Sequence, residues 1–108
     1  MLAEKHCESC AGGAVKLNAD EVQALQTEVP QWSVAEDSGS INRKFQFKNF
    51  AESIDFVNKV GELAEQEQHH PDFVFGWGYA ELTLTTHDIG GLHENDFIMA
   101  AKIDRLSE

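Results

Sequence analysis

The length, composition and charge of the chain describe a single acidic domain. Its 108 residues suffice for one domain but not for two, and with 42% apolar residues it can bury a core. The 8 basic and 19 acidic residues give a formal net charge of −11, which repels phosphate backbones and argues against direct nucleic-acid binding. No apolar run reaches the length of about 18 residues that spans a membrane. The N-terminus lacks an apolar signal segment, so we expect a cytoplasmic, reducing location.

The N-terminal residues 1–17 are expected to form a tail ahead of a domain at 18–108. Cys7 and Cys10 have the CxxC spacing of zinc and redox sites. A structural zinc usually needs four ligands, and no second Cys/His cluster lies close in sequence. A redox motif needs a strand before it and a helix after it. The Gly-rich stretch that follows Cys10 does not predict a helix. We therefore expect a mobile tail that holds no metal.

The first half of the domain contains a short helix and a hairpin. Asn18 and Glu21 have the spacing of a capping box, which predicts a helix start, and Pro30 ends that helix. Residues 32–37 and 40–47 then predict two strands joined by a turn. On the second strand, apolar and polar side chains alternate between the two faces.

A long helix follows. Asn49 and Glu52 form a second predicted capping box, and the helix should run to about His69. The apolar residues at helical spacing, which we expect to face the core, are Phe50, Ile54, Val57, Val60, Gly61 and Ala64.

The second half of the domain contains two more strands and a last helix. Residues 73–75 predict a short strand, and residues 79–87 predict the clearest one, with His87 on its polar side. Residues 94–105 predict the last helix, whose apolar positions include Phe97, Ile98, Ala101 and Leu106. This order indicates an α+β fold, a four-stranded antiparallel sheet with three helices packed on one face. The open sheet edges predict an oligomer.

The end of the long helix concentrates polar chemistry. Pro71 disfavours helical backbone at His70, so the helix should stop near His69. Glu65 lies four residues before His69, which places both on one helical face. Histidine can donate and accept protons near neutral pH, as general acid–base catalysis requires. The alternative is a solvated helix end without chemistry.

Several spaced polar positions match one family. In order they are Glu65, His69-His70-Pro71, Trp77, His87 and Asp96. This spacing resembles the signature of the pterin-4a-carbinolamine dehydratases, and the similarity covers roughly residues 18 to 106. Trp32 resembles a family tryptophan that lines the active site. His93 departs from the pattern, because the family has Ser or Thr as the cap of the last helix.

The resemblance implies the same four-stranded fold, with dimers built by sheet-edge pairing and often joined into tetramers through helices. It implies dehydration of 4a-hydroxytetrahydropterin to quinonoid dihydropterin, without a metal or organic cofactor. This reaction recycles the pterin spent by aromatic amino-acid hydroxylases such as phenylalanine hydroxylase.

The expected catalytic residues are three histidines. His69 or His70 would protonate the leaving hydroxyl and His87 would handle the opposite proton, or the reverse. This assignment stays open.

The expected substrate-binding residues surround them. Trp32, at a helix-to-strand junction, is either a core plug or an aromatic wall for the flat pterin. Glu65 would orient His69, with Pro71 beside it. Asp96 would hold a histidine, or would only cap the last helix.

Two other functions compete with the dehydratase. Family members in animals also serve as dimerisation partners of a transcription factor, so the chain could be a binding module. A metal protein could use Glu65 and the three histidines, but adjacent histidines at a helix end diverge, which suits a tetrahedral ion poorly.

Overall fold

The computed structural model describes residues 2–7 and 16–108. Within them, three α-helices and four strands follow the predicted order, and two short 3-10 turns are added. The elements are a 3-10 turn Leu2–Glu4, α1 Ala19–Gln26, β1 Ser33–Val34, β2 Ile41–Gln46, α2 Phe50–Glu67, β3 Asp72–Gly76, β4 Tyr79–Leu84, a 3-10 turn His87–Ile89 and α3 Glu94–Ser107.

The four strands form one antiparallel sheet in the order β1-β2-β4-β3. The side chains on one face are buried, and they are Ile41, Phe45, Ala80, Leu82 and Leu84. The opposite face carries Asn42, Lys44, Glu81 and Thr83. Alternation along each strand produces this division, and it confirms the predicted α+β fold. The five-residue strand β3 lies at one edge of the sheet.

Both predicted helix caps form, although the second differs in detail. The backbone N–H of Glu21 donates to Asn18 Oδ1 and the N–H of Asn18 donates to Glu21 Oε1, which makes a full capping box. At α2, Asn49 Oδ1 accepts from the Glu52 N–H at 2.9 Å. The Glu52 carboxylate instead accepts from the Lys48 N–H, one residue further upstream.

The core-facing side of α2 agrees with the prediction at Val60 and Ala64 but differs from it in the first half of the helix. Its buried residues are Ser53, Phe56, Val60 and Ala64, while Phe50 and Ile54 are exposed. Phe56 packs against the rings of Phe45 and Phe47, with centroid distances of 4.7 and 5.2 Å. These ring contacts place Phe56, which was not predicted to face the core, against the sheet.

The predicted mobile tail is wrong for residues 2–7, which lie against α3. Leu2 is buried in the core, and Lys102 Nζ donates to the carbonyl oxygen of Ala3 at 3.1 Å. Residues 8–15, including Cys10, lie outside the described part of the chain.

The last strand and helix end differently from the prediction. Strand β4 stops at Leu84, because Thr86 pairs with Gly91 and the chain turns at His87. In α3, Phe97 and Ile98 are buried as predicted, together with Met99, Ala100 and Ile103, while Leu106 is exposed. Among the described residues, no helix is both long and apolar enough to cross a membrane.

Candidate active site

The end of α2 directs two neighbouring histidines to different places. The helix stops at Glu67, and Gln68 adopts a left-handed conformation with φ 55°. The His69 N–H donates back to the Ala64 carbonyl at 3.2 Å, which closes the helix end. The His69 side chain is therefore turned inward, 11% exposed, whereas the His70 side chain is 56% exposed. Pro71, next in the chain, is buried.

His69 forms a buried pair with a carboxylate from the last helix. Its Nε2 lies 2.6 Å from Oδ1 of Asp96, which is fully buried. The second oxygen, Oδ2, accepts from the Thr86 hydroxyl at 2.8 Å and from the His93 N–H at 3.0 Å. Because a carboxylate only accepts, His69 Nε2 carries the shared proton, and the Asp96 carboxylate fixes the orientation of the ring.

Glu65 pairs with His70 rather than with His69, which corrects the prediction. The distance from Glu65 Oε2 to His70 Nε2 is 2.5 Å. The helical turn that would place residue 69 above residue 65 does not exist, because the helix ends at Glu67. The left-handed Gln68 sends His69 towards α3 and brings His70 over Glu65. Glu65 also lines an open groove of about 610 Å³ between α2 and Phe73.

His87 lies in the turn that follows β4. It is exposed and begins the 3-10 turn, one residue after the Thr86 hydroxyl that donates to Asp96. The structure gives its imidazole no hydrogen-bond or ion-pair partner among the described residues. The buried Asp96 carboxylate binds His69, the first of the two neighbouring histidines, and Thr86, the residue before His87. Imidazoles exchange protons near neutral pH, so these histidines are candidates for general acid–base chemistry.

Trp32 does not join this group, and the prediction of an aromatic wall is not supported. Its ring is 1% exposed, so neither face is open to a ligand. Its Nε1–H donates to Asp104 Oδ1 at 2.8 Å, and Arg43 also binds that oxygen. Asp104 lies eight residues after Asp96, about 12 Å further along α3. The core plug is the interpretation that this burial supports.

Two residues of the site were missed or undervalued from sequence. Thr86 was not singled out, although it shares the alternation of Leu82 and Leu84 and so falls on the buried side as a polar residue. His93 stands where the family resemblance predicts a Ser or Thr cap. Its Nδ1 accepts from the Asn95 N–H at 3.0 Å, so the imidazole acts as the cap of α3.

The described residues contain no group of three or more His, Cys, Asp or Glu side chains arranged to hold a metal ion. Cys7 is half-buried, and burial, followed by the nearby Glu67 carboxylate, raises the pKa of its thiol to about 12.

Comparison with known proteins assigns the family. The family model of pterin 4 alpha carbinolamine dehydratase matches residues 15–106. A Rubrobacter xylanophilus protein provisionally named pterin-4-alpha-carbinolamine dehydratase is 53% identical over 105 residues, covering 97% of each chain. A Methylococcus capsulatus protein with the same provisional name is 50% identical, covering 98% of this chain and 93% of its own. The chain belongs to the pterin 4 alpha carbinolamine dehydratase family.

A solved structure carries a similar fold. The crystal structure of a transcriptional coactivator/pterin dehydratase from Brucella melitensis superimposes with a TM-score of 0.81 at 27% identity, covering 86% of this chain and 99% of that one.

Proposed function

We propose that this chain is a hydro-lyase that dehydrates 4a-hydroxytetrahydropterin to quinonoid dihydropterin by histidine general acid–base catalysis. The observation that carries the proposal is the buried His69–Asp96 pair, with His87 directly after the Thr86 that also binds Asp96. Membership of the family and the names of the relatives support the substrate class. The substrate is the product of aromatic amino-acid hydroxylases, so we propose such a hydroxylase as its source.

The reaction needs two proton transfers. The bond from C4a to the hydroxyl oxygen breaks, and the oxygen leaves as water after it receives a proton. A ring nitrogen loses its proton, and the freed electron pair completes a C=N bond. Each transfer needs a group that exchanges protons near neutral pH, for which imidazoles are suited.

The three imidazoles divide these transfers between two elements. We propose that His69 and His70, at the end of α2, supply one proton-transfer group and that His87, after β4, supplies the other. Because carboxylates bind Nε2 of His69 and His70, we propose that Nδ1 of one of these rings exchanges the proton with the substrate. Asp96 and Glu65 also stabilise the imidazolium that forms during transfer, as a carboxylate does in catalytic triads. Glu65 and Pro71 contribute to the substrate-binding surface.

A coupled assay tests the proposal. A phenylalanine hydroxylase generates the 4a-carbinolamine, and ultraviolet absorbance follows the quinonoid product. We expect His70→Ala and His87→Ala each to lower kcat by about 10²–10⁴-fold. His93→Asn is the matched control, because it removes an imidazole but keeps a capping acceptor. Folded His70→Ala and His87→Ala proteins with unchanged turnover would refute the proposal.

We also propose that a second copy of the chain pairs along β3. Val74 is 58% exposed and Trp77 is 70% exposed, and Phe75 stacks on Phe50 of α2 with ring centroids 6.1 Å apart. Beyond its first residue, Asp72, the edge strand β3 carries no charged side chain, and its exposed apolar side chains favour edge pairing. Two identical edges make a symmetric dimer.

Sedimentation measures this association. We expect a dimer or a larger assembly for the native chain, and a shift to monomer for Val74→Lys, since an edge lysine opposes pairing. Gln46→Lys introduces the same charge at an exposed position on β2, away from that edge, and should leave the assembly intact. A native monomer would contradict the proposal.

Binding of a different protein is the second candidate function, and the same exposed residues favour it. The Brucella melitensis protein is described as both a coactivator and a dehydratase. Partner binding that survives loss of His69 and His70, in a chain without dehydratase activity, would support this alternative.

A further inference from the structure

The N-terminal segment connects the two helix ends that carry the buried catalytic pair. We call residues 2–7 the N-terminal strap. It runs along α3, where Arg105 Nη2 lies 3.2 Å from Glu4 Oε1 and Lys5 Nζ lies 2.8 Å from Glu94 Oε2. The strap therefore reaches from the last turn of α3 to its first turn, at the end where Asp96 lies.

The far end of the strap contacts residues next to both members of the His69–Asp96 pair. The Cys7 N–H donates to Glu67 Oε1 at 2.8 Å, and Glu67 is two residues before His69. The Cys7 thiol donates to the carbonyl oxygen of Asn95 at 3.6 Å, one residue before Asp96. One strap residue thus holds the end of α2 against the start of α3.

Glu67 is an unusual residue for its position. It is a nearly buried carboxylate at a helix C-terminus, where the helix dipole disfavours negative charge, and the last turn of α2 contains no basic residue. The groups that bind this carboxylate come from other elements. His6 Nδ1 lies 2.9 Å and Lys102 Nζ lies 3.8 Å from Glu67 Oε2. The mechanism makes no use of this group.

The backbone beside Glu67 also needs support. Gln68, between Glu67 and His69, is a non-glycine residue in the left-handed region. Such a conformation persists where its surroundings fix it. The contacts of Glu67 with the strap fix one side of this turn, and the His69–Asp96 hydrogen bond fixes the other.

We propose that Glu67 is a positioning residue, through which the N-terminal strap sets the geometry of the His69–Asp96 pair. This inference rests on the proposed function for its effect on turnover, but its effect on the His69 ring does not depend on that function. Glu67 touches no substrate and acts only through the turn that carries His69.

Two variants of Glu67 test the proposal. Glu67→Ala loses all three contacts, and we expect kcat to fall about 10- to 100-fold, because small displacements of catalytic groups carry costs of this size. KM should stay within about twofold, since the substrate-facing groups remain in place. Glu67→Gln keeps an oxygen for the Cys7 N–H and should restore most of the turnover. Val29→Ala, a core truncation away from the strap, controls for lost stability and should keep native kcat.

A second readout separates this proposal from the proposed function. Nitrogen-15 NMR of the histidine rings should show His69 with its proton fixed on Nε2 in the native chain and in Val29→Ala. In Glu67→Ala we expect a shifted or tautomer-averaged His69 signal, and in Glu67→Gln the native signal. A folded Glu67→Ala protein with native His69 signals and native kcat would overturn the inference. If the native chain lacks dehydratase activity, the proposed function fails, and the His69 signals still decide the role of Glu67.

Discussion

Replacing Asp96 by asparagine separates a catalytic role of this carboxylate from a capping role. The two oxygens of Asp96 make three hydrogen bonds, to His69 Nε2 and to donors from Thr86 and His93. Asparagine keeps one oxygen, which can serve the Thr86 hydroxyl and the His93 N–H. Its amide then faces His69 and can only donate, so the ring must move its proton from Nε2 to Nδ1. The imidazole would then have the wrong tautomer and would lose the nearby negative charge.

The hydrogen bonds of Asp96 set the expected loss of stability and the expected loss of turnover. One charge-assisted hydrogen bond is replaced, which costs about 1.5–3 kcal/mol of unfolding free energy. A domain of this size has a total of about 5–15 kcal/mol, so the variant should stay folded. Alanine would leave three buried donors without an acceptor and is the poorer test. With the proton on the wrong nitrogen, kcat should fall by about 10²–10⁴-fold, as for loss of an acid–base group.

Thermal unfolding and the coupled dehydratase assay should be measured on the same preparation. If Asp96 only caps α3, its replacement should lower the free energy of unfolding by about 1 kcal/mol and leave turnover unchanged. A folded Asp96→Asn protein with native kcat would therefore refute the catalytic role, whatever its loss of stability.

Three further predictions concern residues outside the catalytic group. Trp32→Phe removes the hydrogen bond to Asp104, so chemical denaturation should show a loss of about 1.5–3 kcal/mol; native kcat/KM is expected, and a tenfold fall would restore the aromatic-wall interpretation. Burial tends to raise the pKa of Glu67. The hydrogen bonds from the Cys7 N–H and His6 and the charge of Lys102 nevertheless hold this pKa below its usual 4.5. The contribution of Glu67 to stability is therefore present above pH 4.5 and is lost as pH falls through the lower folded pKa. The difference in Tm between the native chain and Glu67→Gln should shrink in acid, and a constant difference would contradict this. Because the pKa of Cys7 is raised from 9.0 to about 12, iodoacetamide at pH 8 should modify Cys7 far more slowly in the native than in the unfolded chain, as peptide mass spectrometry can show; equal rates would exclude a buried thiol.

The local features of this fold could be predicted because short stretches of sequence determine them. The Asn18 capping box depends on residues three apart, and the buried side of β4 follows from alternation. The order of helices and strands followed from such signals. The buried face of α2 could be predicted only in part, because apolar residues occupy more than one of its sides and the packing of Phe56 on the sheet decides between them.

The sequence singles out the candidate histidines, but it pairs Glu65 with the wrong one of them. Helical spacing pairs Glu65 with His69, and a single left-handed residue, Gln68, redirects His69 to Asp96. A non-glycine residue with positive φ carries no reliable sequence signal. The contact from Cys7 to Glu67 spans 60 residues, so no local pattern contains it. Because of this separation in sequence, residues 2–7 have the sequence features of a tail.

The most direct test of the account compares the native chain with a His69→Gln, His70→Gln double variant in the coupled assay, against the spontaneous rate. The account predicts that the native chain accelerates formation of the quinonoid product and that the folded double variant returns it to the spontaneous rate. A native chain that leaves the spontaneous rate unchanged, or a double variant as fast as the native chain, would contradict it.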